Sequence, residues 1–209
     1  MIIEGPLINA TFIERPNRFI TIIEINGELH RSHLPDPGRL KELLTPNANL
    51  LVRPAPEASD RKTSFSTVMV ERKGQLISLV STLPNKFIDH ALKNNKIPIL
   101  RPYSFIRSEI TVKNHRFDFL LNDNKANKFY LEVKSVTLVE NGIAKFPDAI
   151  TRRGMNHAKA LMNLVSKGFQ AGILFVCQRP DAISFRPMWD RDPKFAMALS
   201  DAYKAGVKV

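Results

Sequence analysis

Three side chains in the second half of the chain stand at spacings that suit phosphate chemistry. Asp118 lies in Arg116-Phe-Asp-Phe-Leu-Leu121, while Glu132 and Lys134 lie in Phe129-Tyr-Leu-Glu-Val-Lys-Ser135. Both stretches read as β-strands joined by the polar turn Asn122–Lys128, and side chains alternate between faces along a strand. Phe117, Phe119 and Leu121 then share one face of the first strand, and Phe129, Leu131 and Val133 one face of the second. Those residues make an apolar side, so Asp118, Glu132 and Lys134 project from the other. A turn symmetric about Lys125 sets Asp118 opposite Glu132, within cross-strand reach.

Two carboxylates so close repel unless positive charge lies between them. Lys134 compensates in part. A hard divalent cation, Mg²⁺ or Mn²⁺, does so better, because carboxylate oxygens and retained water are its preferred ligands. Such an ion polarises a phosphodiester oxygen and lowers the pKa of a bound water. Lys134 can orient that water or stabilise charge developing on the phosphate, and the Val133 carbonyl is available as a further ligand. A salt bridge from Asp118 and Glu132 to Lys134 on a solvated sheet face fits the same spacing, and such surface pairs are common and energetically slight.

The elements that must position these residues follow a boundary at Thr82-Leu83-Pro84-Asn85. Asn85 can cap a helix running to about Asn95, with Phe87, Ile88, Ala91 and Leu92 at core spacing. Pro98 and Pro102 end it, and two strands follow, Glu109–Leu121 and Phe129–Leu138. A helix from about Arg153 to Lys167 carries the inner stripe Ala158, Leu161, Met162 and Val165, stopped by Gly168. Gln170–Gln178 reads as a buried strand, and Asp192-Pro193 opens a last helix that ends before Gly206.

Ahead of that boundary the pattern is β. Leu7–Glu14 and Arg18–Ile25 are strands about the turn Arg15-Pro16-Asn17. Asn26-Gly27 is a two-residue hairpin turn leading into Glu28–Leu34. After Pro35-Asp36-Pro37-Gly38, Arg39–Leu44 has room for a short helix with Leu40, Leu43 and Leu44 on one side, and Asn49–Val52, Phe65–Glu71 and Leu76–Val80 resume the strands. The order β-β-β-helix-β-β is that of a small OB-like barrel. The chain thus divides into 1–83, an OB-like domain, and 84–209, an α/β (α+β) domain.

Charge follows the division. Residues 1–83 hold ten Lys/Arg against nine Asp/Glu, and residues 84–209 hold twenty-one against eleven. A basic surface recruits phosphate polyanions by Coulomb attraction and counterion release. The lone Cys177 sits in an apolar run and reads as an inert thiol. No apolar run is long enough to span a bilayer. Met1-Ile-Ile-Glu-Gly-Pro6 has neither the basic start nor the apolar stretch of a secretory signal, so a cytoplasmic location without membrane association is expected. With no Gly-rich phosphate loop and no Gly-x-Ser-x-Gly, neither ATP use nor a serine nucleophile is expected.

Asp118 followed by Glu132-Val-Lys134 on a hairpin resembles the PD-(D/E)XK nuclease superfamily. Longer blocks resemble the sugar fermentation stimulation protein family. These are Phe12–Phe19, His33–Arg39 with Glu42–Leu44, Arg116–Leu120, Leu131–Leu138, and Phe146–Gly154 with His157, in order along almost the whole chain. The resemblance implies an OB-like barrel followed by a restriction-endonuclease-like mixed sheet flanked by helices. It also implies DNA binding with weak sequence preference, and a regulatory link to sugar utilisation rather than sugar chemistry. Asp118 and Glu132 would be metal ligands and Lys134 the catalytic lysine, although the superfamily also has catalytically silent members, so a non-catalytic DNA-binding regulator is the second reading. A further acid on the first core helix is common in the superfamily. Here that helix offers only Asp89, and Glu109 opens the next strand, which leaves the fourth ligand open.

Around the site, Asp148 or Thr151 can cap the helix after the hairpin, whose free N–H groups attract anions. Arg152, Arg153 and His157 would meet an incoming phosphate, with His157 bonded to Asp148 or DNA. In the first domain Arg15, Arg18 and Arg39, at turns or strand ends, are the DNA-contact candidates.

Overall fold

The computed structural model describes residues 3–56 and 60–209. Strands β1 (Ile8–Asn17), β2 (Ile20–Ile25), β3 (Glu28–His33), β4 (Asn49–Pro54), β5 (Phe65–Arg72) and β6 (Gln75–Ser78) form one sheet in the order β3-β2-β1-β4-β5-β6. A parallel pairing of β3 with β5 closes it into an OB-like barrel. Asn26 and Gly27 take φ of 52° and 84°, the left-handed pair that the β2–β3 turn requires. Ile23, Leu34, Leu50, Val52 and Val70 fill the interior. Where β3 meets β5, the buried hydroxyls of Thr21, Ser32 and Thr67 satisfy one another at 2.8–2.9 Å.

The expected helix over Arg39–Leu44 does not form. Leu40 adopts φ of 53°, and a single turn follows in which the Leu43 and Leu44 amides donate to the Leu40 carbonyl. Leu40, Leu43 and Leu44 still enter the barrel core. A left-handed first residue cannot begin a right-handed helix, and the apolar spacing alone does not reveal it. Strand β1 also runs on through Arg15 to Asn17, placing the turn at Arg18-Phe19.

Beyond the barrel come α1 (Leu83–Lys93), β7 (Tyr103–Val112), β8 (His115–Asp123), β9 (Lys128–Val136), β10 (Val139–Glu140), β11 (Ile143–Phe146), α2 (Arg152–Ser166), β12 (Gln170–Cys177), β13 (Ser184–Pro187) and α3 (Pro193–Lys204). Strands β12-β9-β8-β7 form a mixed sheet, with β12 parallel to β9 and the rest antiparallel. The small sheet β10-β11-β13 stands apart from it. Helix α1 covers one face of the mixed sheet, packing Ile88 and Leu92 against Phe119, Leu121, Phe129, Leu131 and Val133. Helices α2 and α3 cover the other, packing Ala158, Leu161, Phe195 and Leu199 against Phe117, Leu120, Tyr130 and Ile173.

Several expectations change here. The stretch Glu109–Leu121 is two strands, because Lys113, at φ 52°, turns the chain between β7 and β8. Phe117 packs with Leu120 and Tyr130 on the α2 side rather than beside Phe119, so strict alternation lapses at Asp118. Asn85 does not cap α1; Thr82 holds that position without a side-chain bond. Phe87 is exposed rather than in the core. Met162 and Val165 are only partly buried, while Leu164 joins the core. At α3 the Asp192 carboxylate caps the helix, accepting from the Phe195 amide at 3.0 Å.

Candidate functional site

The two acids stand where β8 and β9 part. Their ladder runs in the expected register from Asn122 opposite Lys128 to Phe119 opposite Leu131, which puts Asp118 and Glu132 at the next position. Asp118 turns toward α1 and toward the neighbouring backbone. Its Oδ1 accepts from Asn85 Nδ2 at 2.6 Å, and its Oδ2 accepts from the Val133 amide at 2.6 Å.

Glu132 points to the α2 side. Its Oε1 accepts from the Lys134 ammonium and from His157 Nδ1, the latter at 2.6 Å. Its Oε2 is buried and has no hydrogen-bond partner. Only 4% of the Glu132 side chain and 14% of that of Lys134 remain exposed. This is therefore a buried ion pair and not a solvated one, with the cost that burying charge entails. The His157 ring lies edge-on to Phe117, with centroids 5.7 Å apart, which fixes the imidazole against the core.

The environment splits the two carboxyls. Burial, and then the Glu132 charge, push the Asp118 carboxyl above the ordinary range, against the pull of the Val133 amide, Lys134 and Asn85. Burial pushes Glu132 the same way, but the His157 hydrogen bond and the Lys134 charge outweigh it and bring Glu132 below its usual value. Protein groups thus favour the charge on Glu132, while burial and that same charge disfavour a second one on Asp118.

A cavity of about 420 Å³ opens over both. Asp118, Glu132, Val133 and Lys134 line it together with Lys145, Asp148, Thr151 and Arg153, and the barrel contributes Arg18, Asp36 and Gly38. The cleft thus has walls from both halves of the chain.

Other candidates fall elsewhere. Glu109 sits within β7, exposed and 3.9 Å from Arg116, and does not line the cavity. Asp89 is engaged with Lys93 at 2.7 Å. Arg15 directs its guanidinium at the backbone carbonyls of Arg39, Arg18 and Asp36, at 2.7, 2.7 and 3.3 Å. Arg39 is exposed over a neighbouring hollow with Ile150 and Arg191. Arg152 is exposed one residue from Arg153. Thr151 caps α2, accepting from the Gly154 amide at 3.0 Å. Asp148 instead accepts from the Leu40 amide at 2.7 Å and from Arg191 at 2.9 Å. His157 reaches Glu132 and not Asp148. The residues that reach the acids, Asn85 and His157, carried no local signal of it: each lies on a helix remote in sequence from its partner.

An OB-like barrel joined to a helix-flanked mixed sheet, with paired acids and a lysine at its centre, defines the architecture. Residues 13–79 match the "SfsA N-terminal OB domain" and residues 82–209 the "Sugar fermentation stimulation protein RE domain". The chain is 43% identical to the sugar fermentation stimulation protein homolog of Moorella thermoacetica over 203 residues, which is 97% of this chain and 88% of that one. It is 44% identical to the Acetivibrio thermocellus homolog over 209 residues, 99% of this chain and 88% of that one. The structure of Pyrococcus furiosus SfsA in complex with Ca²⁺ superposes with a TM-score of 0.87 at 29% identity, covering 98% of this chain and 87% of that one. The chain belongs to the sugar fermentation stimulation protein family.

Proposed function

We propose that the chain binds DNA with weak sequence preference and hydrolyses phosphodiesters with a divalent cation, Mg²⁺ or Mn²⁺, held by Asp118 and Glu132. On this reading residues 1–83 are the OB-like domain and 84–209 the nuclease-like one. The observation that carries the proposal is the buried Glu132 Oε2, left without a partner beside an Asp118 whose carboxyl is raised by burial and by Glu132 itself. A site with surplus negative oxygen and an orphaned acceptor fits a hard cation. The Ca²⁺ in the Pyrococcus furiosus relative supports the same donor chemistry.

Asp118 and Glu132, with the Val133 carbonyl, would hold the ion, which supplies polarisation of the phosphodiester and a lowered pKa for a bound water. Asn85 and the Val133 amide fix the Asp118 carboxylate; His157 fixes Glu132 Oε1 and leaves Oε2 for the ion. Lys134 keeps an ammonium beside the reacting phosphate, where a fixed positive charge favours the transition state over the ground state. Arg18, Lys145 and Arg153, at the cavity wall, would bind backbone phosphates, with Arg152 and Arg39 next to them. A regulatory role in sugar utilisation rests on the family name.

A second reading, a DNA-binding regulator that does not cleave, is favoured by one observation. Three of the four carboxylate oxygens of Asp118 and Glu132 are already engaged by Asn85, the Val133 amide, Lys134 and His157, as the second reading requires of a site that holds no ion. Incubation of single-stranded, duplex and branched DNA with Mg²⁺ or Mn²⁺ separates the two. Cleavage lost in Asp118→Ala, Glu132→Ala and Lys134→Ala supports the nuclease. Equal cleavage by Glu132→Ala and wild type removes this site from consideration, and chelator-insensitive binding with no cleavage supports the regulator.

A further inference from the structure

We infer that Phe19 is a stacking platform for an unpaired nucleobase, so that the cleft takes nucleic acid with a single-stranded segment; this rests on the nucleic-acid-binding reading above. Phe19 and Arg18 form the tip of the β1–β2 turn. Arg18 lines the cavity that holds Asp118 and Glu132. Phe19 beside it is 48% exposed. A single exposed aromatic is ordinary on a protein surface. This one differs in how its backbone is held. The Phe19 amide donates to Asn17 Oδ1 at 2.9 Å, its carbonyl accepts from the Leu34 amide at 2.8 Å, and the Arg18 carbonyl accepts from Arg15 at 2.7 Å. The backbone of the tip is thus fixed on both sides while about half of Phe19 stays exposed to water.

A rigid aromatic loses little conformational entropy when it is covered, which is what an anchor needs. The Arg18 guanidinium stands 5.6 Å from the ring centroid. The pair therefore offers a π-face for a base and a positive charge for the adjoining phosphate, the two contacts that single-strand sites combine. Phe19 stands next to the cavity, beside its wall residue Arg18, and Ile150, 78% exposed, gives the wall an apolar group from the other half of the chain. In an intact duplex each base is already stacked and paired, and only the backbone meets Arg18. An unpaired base is free to cover Phe19.

The test uses the full chain in chelator at fixed salt, so that no cleavage intervenes. Affinity is measured for a 2-aminopurine-labelled single strand and for its duplex, in wild type, Phe19→Ala, Phe19→Trp and Leu29→Ala. Leu29 is exposed on the barrel opposite Glu24, at the far end of the β2–β3 ladder from Phe19. Loss of one base–aromatic stack lowers single-strand affinity by roughly 5- to 150-fold, so the ratio of single-strand to duplex affinity should fall in Phe19→Ala. Phe19→Trp should restore that ratio along with the fluorescence quenching, and Leu29→Ala should match wild type. An unchanged ratio in Phe19→Ala, or an equal loss in Leu29→Ala, overturns the inference while leaving nucleic-acid binding intact. Wild-type protein that binds neither form overturns both.

Discussion

Replacing Arg15 with alanine separates a structural arginine from a phosphate-binding one. Its guanidinium gathers the carbonyls of Arg18 and Arg39 at 2.7 Å and that of Asp36 at 3.3 Å, drawing together the two loops that form the barrel's wall of the cleft. A hydrogen bond from a charged donor contributes about 1.5–3 kcal/mol when well sheltered. The two short bonds here are partly open to water, so each is discounted to about 1–1.5 kcal/mol. The loss in Arg15→Ala is then about 2–3 kcal/mol, equivalent to a Tm lower by roughly 4–12 °C for a chain of this size. Urea and thermal unfolding measure that loss. Arg15→Lys should recover little of it, because one ammonium cannot span three carbonyls. A phosphate contact would behave differently: Tm would hold, and the slope of log K for DNA against log salt would shrink by about 0.9. That second pattern would refute the clasp.

Two further outcomes follow from the site and the barrel. Removing the imidazole in His157→Ala leaves the buried Glu132 Oε1 with Lys134 alone; divalent-ion affinity measured by calorimetry should fall about 10- to 100-fold, with His157→Gln recovering part of it. Asp36 is raised above its unfolded value chiefly by burial and then, against its Gly38 bond, by Asp148. A raised carboxyl gives stability that is fully present below the unfolded pKa and is lost as pH rises through the folded one. Asp36→Asn keeps an acceptor for the Gly38 amide, so its urea midpoint should gain on wild type as pH rises above about 4, where an unfolded aspartate ionises; a difference that does not vary with pH counts against this.

Local chemistry made much of the architecture legible in sequence. Asn26-Gly27 demanded a hairpin, Asp192-Pro193 opened α3 with its cap bond as expected, and the hairpin register about Lys125 holds along the paired residues. What local pattern does not encode is where a helix lands. Asn85 had the residue type of a cap yet reaches Asp118, 33 residues away, and His157 reaches Glu132, 25 residues away. Leu40, Leu43 and Leu44 had helical spacing, but a left-handed Leu40 changed the turn while leaving the same side chains in the core. The short strands of the β10-β11-β13 sheet, two to four residues each, carry too little alternation to announce themselves. The apolar face assigned to the hairpin was incomplete because Leu120 and Tyr130 bury its other side as well.

The Asp148 carboxylate has a consequence for how the molecule holds together. One of its oxygens receives the Leu40 amide from the barrel, and the other receives Arg191 from near the chain's last helix. A non-glycine residue with positive φ stays put only where its surroundings insist on it. Here part of that insistence comes from beyond the barrel, so a barrel excised by itself would lack the group that seats its own loop, and loosening at Leu40 would be felt across the seam where the arginines gather.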